Sequence, residues 1–565
     1  MKNWKRSLRL WDYMSAYGLG ASLRKAIYKF NPAYQQWFLS QQADNELLLK
    51  QSETRFSYAP LISILMPVYN TPPALLQAAL DSVVLQSYAN WELCIANGGC
   101  GREAQEILED YEAADPRIKV ITLTENRGIS GNTNACLELA EGEYTALFDH
   151  DDLLEPDALF EIVKALQEKR HDVLYTDEDK YRTSFGRFFE PNFKPDFSPE
   201  YLRSCNYITH FFVVKTALVR TLGGFRSAYD GSQDYDLILR CVSAAESVFH
   251  IRRILYHWCI HSGSTADDPE SKRYCFEAGA AAIHDSDQNN GIDNEVTIYP
   301  GLYTVYQSHI RPRTLRSLSV LIACRSHDNE QLAGCIASVR TALEQQQIIP
   351  HFIIIGDEAA ESRYRQLSEH KSDLSFLKEA NSVYESFNLA VQMADTDDVL
   401  FLSDELRPDA EADFASALSL LSVPGVSVLG AKLLNGDTIV SSAKTIDAKG
   451  TEYDIFRGLN RGEHGYQYRA VIPNNVRSVS LYGMCTRRET FLSMGGFDPS
   501  AGPSPEFHYC LRVWDQRQRV VFVPELLFQT PAMPGSLFRP SRDTVFVDND
   551  PFWNPRIFFH SGYYR

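Results

Sequence analysis

Tyr144-Thr145-Ala146-Leu147-Phe148-Asp149-His150-Asp151-Asp152 reads as a short buried strand running straight into three carboxylates and an imidazole. Thr145 to Phe148 are mostly apolar and led by β-favouring residues. Like charges this close repel, so the cluster needs a cation, a solvated loop or raised pKa values. Hard carboxylate oxygens suit Mg²⁺ or Mn²⁺, and Mg²⁺ commonly sits between a few carboxylates and substrate phosphates. The plainer alternative is a solvated acidic turn leading into the helix that begins near Glu155-Pro156-Asp157. The surrounding pattern favours the cation.

Working outward, strands alternate with helices. Leu61–Met66 is a buried strand ended by Pro67-Val68-Tyr69-Asn70, and a helix runs from about Pro73 to Gln86. Trp91–Ala96 is the next strand, ended by Asn97-Gly98-Gly99, and Glu103–Ala113 the next helix. Ile118–Ile121 and a helix over Gly131–Glu141 lead to the acidic stretch. This alternation predicts an α/β fold with a mostly parallel, doubly wound sheet, whose ligands bind beyond the carboxyl ends of the strands. Pro67–Asn70, Asn97–Gly99 and Asp149–Asp152 all stand at such ends and should meet at one crevice. Further on, Val173–Thr176 is a strand entering Asp177-Glu178-Asp179-Lys180, and Phe188–Pro199 reads as a loop over the crevice. Phe211–Val214 is a strand, and Thr216–Leu222 a helix closed by Gly223-Gly224. Gln233-Asp234-Tyr235-Asp236 opens another helix, where acids complement the helix dipole. Ile254–Trp258 is a strand that delivers His257, with His261 and Gly263-Ser264-Thr265 beyond it.

The second half repeats the first. Ser63-Ile64-Leu65 is matched by Ser319-Val320-Leu321, an offset of 256 (319 − 63), and Gly223-Gly224-Phe225 by Gly495-Gly496-Phe497, an offset of 272 (495 − 223). Pro156-Asp157-Ala158 recurs as Pro408-Asp409-Ala410. A period this long is a duplicated domain, with the boundary near Ile310–Leu315. Aligned on that Pro-Asp-Ala match without gaps, Asp149 and Asp151 become Phe401 and Ser403. At the later offset Asp234 becomes Glu506 and His257 becomes Gln529. The apolar scaffold is kept while the charged cluster is mostly lost. The expected domains are therefore 1–57, a basic amphipathic helical segment; 58–312, carrying the acidic site; and 313–565, a degenerate copy.

The 565 residues carry a formal charge of −18, which argues against nucleic acid as a partner. Residues 1–30 depart from this. Lys2, Lys5, Arg6, Arg9, Arg24, Lys25 and Lys29 oppose only Asp12, a local +6 (7 − 1), among aromatics at roughly helical spacing. Such a stretch either lies on an anionic membrane surface or packs on the first domain with its lysines in water. The eleven cysteines are odd in number and form no Cys-x-x-Cys pair, so buried thiols in a reducing compartment are expected. No apolar run has the length of a transmembrane helix and the N-terminus lacks a signal-peptide core. A cytoplasmic protein, in peripheral contact with the membrane under the first of those readings, is expected. There is no Gly-x-x-x-x-Gly-Lys-Ser/Thr phosphate loop, against a P-loop ATPase or kinase.

Collected, these residues resemble the family 2 glycosyltransferases, which have the nucleotide-sugar-binding GT-A fold. The resemblance rests on Pro67-Val68-Tyr69-Asn70, Asn126-Arg127-Gly128-Ile129-Ser130, Asp149-His150-Asp151-Asp152, Thr176-Asp177-Glu178-Asp179-Lys180, Gln233-Asp234-Tyr235-Asp236 and Tyr256-His257-Trp258. The tandem arrangement is similar to bacterial O-antigen and surface-polysaccharide transferases of the RfbC-like type. The resemblance implies two tandem GT-A-like domains, a metal-dependent inverting transfer, Mn²⁺ or Mg²⁺ as cofactor, a nucleotide-diphosphate sugar donor and a glycan or lipid-linked glycan acceptor. It further implies Asp234 as catalytic base, Asp149, Asp151 and His257 at the metal, and Pro67, Tyr69, Asn70 and Asn97 with the two aspartates around the nucleotide sugar. One departure stands out: Gly98 occupies the place where the family carries an Asp that contacts the base. The rival expectation is a non-catalytic pseudo-glycosyltransferase that binds glycan or joins a complex.

Overall fold

The computed structural model describes residues 22, 31–261, 273–311, 316–325, 329–367, 373–447, 451–502, 504–531, 550–554 and 556–557. The basic stretch over residues 1–30, apart from residue 22, and Gly263-Ser264-Thr265 lie outside them. The chain forms two compact units, one built from Arg24–Phe197, Leu202–Ser308 and Arg556–Arg565, the other from Met1–Leu23, Ser198–Tyr201 and His309–Pro555.

The first unit is built on a nine-stranded mixed sheet flanked by helices. Its strands are β1 (Ile62–Val68), β2 (Trp91–Asn97), β3 (Ile118–Thr122), β4 (Tyr144–Leu147), β5 (Leu153–Leu154), β6 (Val173–Arg182), β7 (Arg187–Asn192), β8 (Phe212–Lys215) and β9 (Val248–Ile260). They lie in the order β3-β2-β1-β4-β8-β6-β9-β5, with β7 beside β6. β1, β2, β3 and β4 are parallel, as the βαβ alternation requires, but β8 runs antiparallel to both β4 and β6. Ile62, Ile64, Met66 and Val68 of β1 are fully buried, and so are Leu76, Ala79, Leu80 and Val83 on one face of the following helix. That is a stripe at helical spacing closing over a central strand. Phe188–Pro199, expected as a loop, instead begins in β7, which pairs with β6. Its aromatic run is packed: Phe188 and Phe193 meet Phe38 and Trp37 of the helix Pro32–Leu39. The helix Pro32–Leu39 is thus part of this unit's core, with Tyr34 fully buried.

The second unit repeats this strand order in its main sheet. Its order is Leu374–Lys378, Ile349–Gly356, Ser317–Ala323, Asp398–Ser403, Cys485–Arg487, Val426–Asn435, Arg519–Gln529, Arg407–Pro408. The pairing register corrects the gap-free comparison of the halves. Leu65 pairs with Leu147 in the first unit, and Leu321, its equivalent, pairs with Phe401 in the second. The offset at this strand is therefore 254 (401 − 147). The same offset carries β5 onto Arg407–Pro408. Asp149-His150-Asp151-Asp152 consequently corresponds to Ser403-Asp404-Glu405-Leu406, not to Phe401 onward. The second turn keeps an acid at the Asp151 position, as Glu405, and has Asp404 in the place of His150.

One side-chain clamp holds the same place in both units. Asn134 accepts from the Phe225 amide at 2.9 Å and donates to the Phe225 carbonyl at 2.8 Å. Asn388 does the same with Phe497 at the same distances. The preceding glycines, Gly224 and Gly496, have φ of +69° and +66°, and a Cβ on either would approach the clamp's Oδ1 to 2.6 or 2.5 Å. Asn134→Ala leaves two backbone groups of a nearly buried residue unpaired. We expect a loss of about 2 kcal/mol of unfolding free energy, read as a lowered midpoint of chemical denaturation.

Candidate active site

The acidic turn is bolted to β9 by its last residue. Asp152 is 1% exposed; one oxygen accepts from the Tyr256 hydroxyl at 2.6 Å and the other from the Cys259 amide at 2.7 Å. Burial and the neighbouring Asp149 push its pKa well up. With Asp152 committed, Asp149 and Asp151 are left facing outward. The Asp149 side chain is 55% exposed and stands 3.5 Å from Nε2 of His210. Asp151 meets His261 at 3.0 Å. His150 bonds Thr71 at 3.0 Å, which ties this turn to the end of β1.

His210 is the residue that sequence reasoning missed. It immediately precedes Phe211, its ring stacks on Tyr256 at 4.4 Å, and its Nδ1 is 3.1 Å from Glu178. Burial lowers its pKa, but the Asp149 and Glu178 carboxylates outweigh this and hold it well above the ordinary imidazole value. Glu178 is itself held down at about 2: burial opposes its ionisation, and Lys194, His210 and Asn192 overcome that. The Lys194 ammonium lies 3.2 Å from Glu178. The only signals for this set in the sequence were the acids after Val173–Thr176 and a lone histidine before an apolar strand.

His257, expected at the metal, is placed differently. It is 2% exposed; Nδ1 is 2.5 Å from Asp179 and Nε2 2.8 Å from Glu155, while Phe38 and Phe188 pack on its ring. Both nitrogens are taken, because Asp179 comes from the adjoining strand β6 and Glu155 follows β5. Among the described residues, the His and carboxylate ligand atoms that gather within 4.8 Å of one another are those of Asp149, Asp152 and His210.

The remaining expected positions sit at neighbouring strand ends. Pro67 lies in β1 opposite Ala96 of β2. Tyr69 is half exposed, and the amide of Asn70 donates to the Gly99 carbonyl at 3.0 Å. Asn97 is buried; its Oδ1 accepts from Gly99 at 3.0 Å and its Nδ2 donates to Gln105. A Cβ on Gly98 would come within 2.4 Å of the Asn132 amide nitrogen, so Asn132 occupies the space a longer residue there would need. Asp234 stands in the first turn of the helix Gln233–Ala244 and accepts from Asn206 at 3.0 Å. Burial raises its pKa, His210 opposes this and Asp149 adds to it. Asp236, two residues on, is a structural acid held by Arg226 and Arg240.

Hard oxygen donors beside one imidazole, next to a second carboxylate with a raised pKa, suit a divalent cation and a general base. Residues 63–221 match the sequence profile described as glycosyl transferase family 2, and this part of the chain is a family 2 glycosyltransferase domain. Over 541 residues the chain is 32% identical to uncharacterized protein y4gI of Sinorhizobium fredii, covering 90% of this chain and 59% of that protein. Over 475 residues it is 27% identical to the O-antigen biosynthesis protein RfbC of Myxococcus xanthus, covering 82% of this chain and 37% of that one. The hyaluronan synthase of Pasteurella multocida is 28% identical over 220 residues, 39% of this chain and 22% of that one. The chain thus spans less than two thirds of the length of each of these relatives. No described helix is long and apolar enough to cross a membrane.

Two outcomes follow from this geometry. The His257 imidazolium is held up to about 10: burial opposes it, and Asp179 and Glu155 outweigh burial. Its contribution is complete below the ordinary imidazole value near 6.5 and is lost as pH rises through about 10. Thermal denaturation should therefore show wild type losing stability between pH 7 and 10 more steeply than His257→Gln. Gly98→Asp should displace Asn132 and cost about 1–3 kcal/mol of stability, measured by urea unfolding.

Proposed function

We propose that the chain is an inverting, metal-dependent glycosyltransferase that moves a sugar from a nucleotide-diphosphate donor to a hydroxyl of a growing surface polysaccharide. The observation that carries this is the convergence of Asp149, Asp151 and His210 with Asp234 in a family 2 domain. The O-antigen, hyaluronan and chondroitin proteins among its relatives support a polysaccharide product, with rhamnose as one candidate sugar. Asp149 and Asp151, with His210 in the place first expected for His257, would hold Mn²⁺ or Mg²⁺. Asp152 fixes their turn. The bound cation supplies positive charge against the departing diphosphate.

Asp234 takes the proton from the acceptor hydroxyl as that oxygen attacks the anomeric carbon. The bond from this carbon to the diphosphate oxygen breaks, and the nucleoside diphosphate leaves with its electron pair. A carboxyl raised by burial is a stronger base than a free one, which suits this role at neutral pH. Tyr69, Asn70 and Asn97 would border the nucleoside beside Pro67. The first unit is the catalytic one under this reading, the second a non-catalytic copy. All eleven cysteines are free thiols, which supports work in the cytoplasm, at its membrane face if residues 1–30 bind lipid.

Calorimetric titration of UDP, GDP and dTDP, with and without Mn²⁺, tests the donor site. Binding of one nucleotide should require Mn²⁺ and vanish in Asp151→Ala. Asp234→Asn should keep that binding and lose roughly 10²–10⁴-fold in transfer rate. If no nucleotide binds, the pseudo-glycosyltransferase reading, which the Gly98 position favours, takes its place.

A further inference from the structure

The second unit carries its own polar basin at the strand ends, and its composition is altered in one direction. Under the register found above, Asp149 is replaced by Ser403 and Asp152 by Leu406. β8 pairs with β4 as Cys485–Arg487 pairs with Asp398–Leu400, an offset of 272 (487 − 215), so Tyr482 stands where His210 does. Asp149, Asp152 and His210, whose ligand atoms cluster in the first unit, thus have no histidine or carboxylate counterpart here, while Asp151 is kept as Glu405. The carboxylate at the helix start is kept as Glu506, and two cations have been added. Arg325 follows the central strand Ser317–Ala323 and is exposed. Lys444 comes from a three-stranded sheet, Glu452–Asp454, Ala443–Ile446 and Ser478–Val479, that the first unit lacks among its described residues.

Contacts join these groups in two stretches that share the helix Val383–Met393. The Arg325 guanidinium lies over the Tyr482 ring at 5.8 Å. Tyr482 and Tyr384 both lie close to the helix Val383–Met393, the first through Phe387 and the second as part of its first turn. The Tyr384 hydroxyl donates to Glu506 at 2.8 Å. Lys444 Nζ reaches Glu506 at 3.2 Å and Glu452 at 2.9 Å. Tyr384, Tyr482 and Glu452 are all partly open to solvent.

We infer that the second unit is a metal-independent binding site for a neutral saccharide of the acceptor glycan. This rests on the reading that the chain handles glycans. A diphosphate fits poorly here. Among these described residues carboxylates (Asp404, Glu405, Glu452, Glu506) outnumber cations (Arg325, Lys444) two to one, and the histidine and carboxylate cluster that suits a metal lies in the first unit. A neutral polyol fits better: the partly exposed Glu405 and Glu452 carboxylates and the Lys444 ammonium, backed by the buried Glu506, offer acceptors and donors for vicinal hydroxyls, and tyrosine rings offer apolar faces to a pyranose. The site lies at the carboxyl ends of an open sheet, where such folds place ligands.

Saturation-transfer NMR on the full chain in EDTA, with the methyl glycosides of rhamnose, glucose, galactose, mannose and N-acetylglucosamine as probes, tests this. At least one glycoside should show transfer that persists in Asp234→Asn. Loss of a charge-assisted hydrogen bond should weaken it by about tenfold or more in Glu506→Gln. Arg325→Ala, at an exposed position that leaves folding intact, should weaken it too. No transfer from any of the five, or transfer unchanged in both variants, overturns the inference. Mn²⁺-dependent nucleotide binding, measured on the same preparations, reports separately on the donor site, so each reading can fail without the other.

Discussion

The buried carboxylate of Asp152 is the constraint on which the candidate site depends. A desolvated acid of this kind is tolerated only when its oxygens are hydrogen-bonded, and Tyr256 and the Cys259 amide supply those bonds. Both partners belong to β9, so the turn after β4 is fixed to a strand three places away in the sheet. Tyr256 then carries the stacked His210 ring, and His210 faces Asp149. Positioning of the outward acids thus follows from one inward acid. The second unit makes the same point by omission: with Leu406 and Phe528 at the two positions, the anchor and the group it organises are both absent.

The duplication separates what the fold needs from what the site needs. Both units keep the strand order, the Asn134 or Asn388 clamp and the paired glycines it closes on. These are requirements of packing, since a side chain at Gly224 or Gly496 would strike the clamp. The polar residues at the strand ends differ between copies, and where one is buried its partner changes with it, as Asp152 and Tyr256 become Leu406 and Phe528. Chemistry can diverge there at little cost to the core.

Much of this was legible in the chain of letters. The βαβ alternation, the long repeat, the acidic strand end and Asp234 at a helix start all follow from local pattern. Three things did not. His257 looked available because a linear sequence cannot show that Asp179 and Glu155 reach it from both sides. His210 looked ordinary because its partners, Asp149, Glu178 and Tyr256, come from three separate segments. The loss of the second acidic loop was overstated because a gap-free alignment slips by two residues where the loops differ in length; hydrogen-bond register has no such freedom.

The sequence by itself determined the class of fold, the family of the first domain and which strand ends carry charge, since hydrophobic period and strand-end motifs are local properties. Only the tertiary structure decided which carboxylates turn inward to be consumed by hydrogen bonds and which remain outward for chemistry. That choice depends on partners more than a hundred residues away, and burial makes each such pairing obligatory.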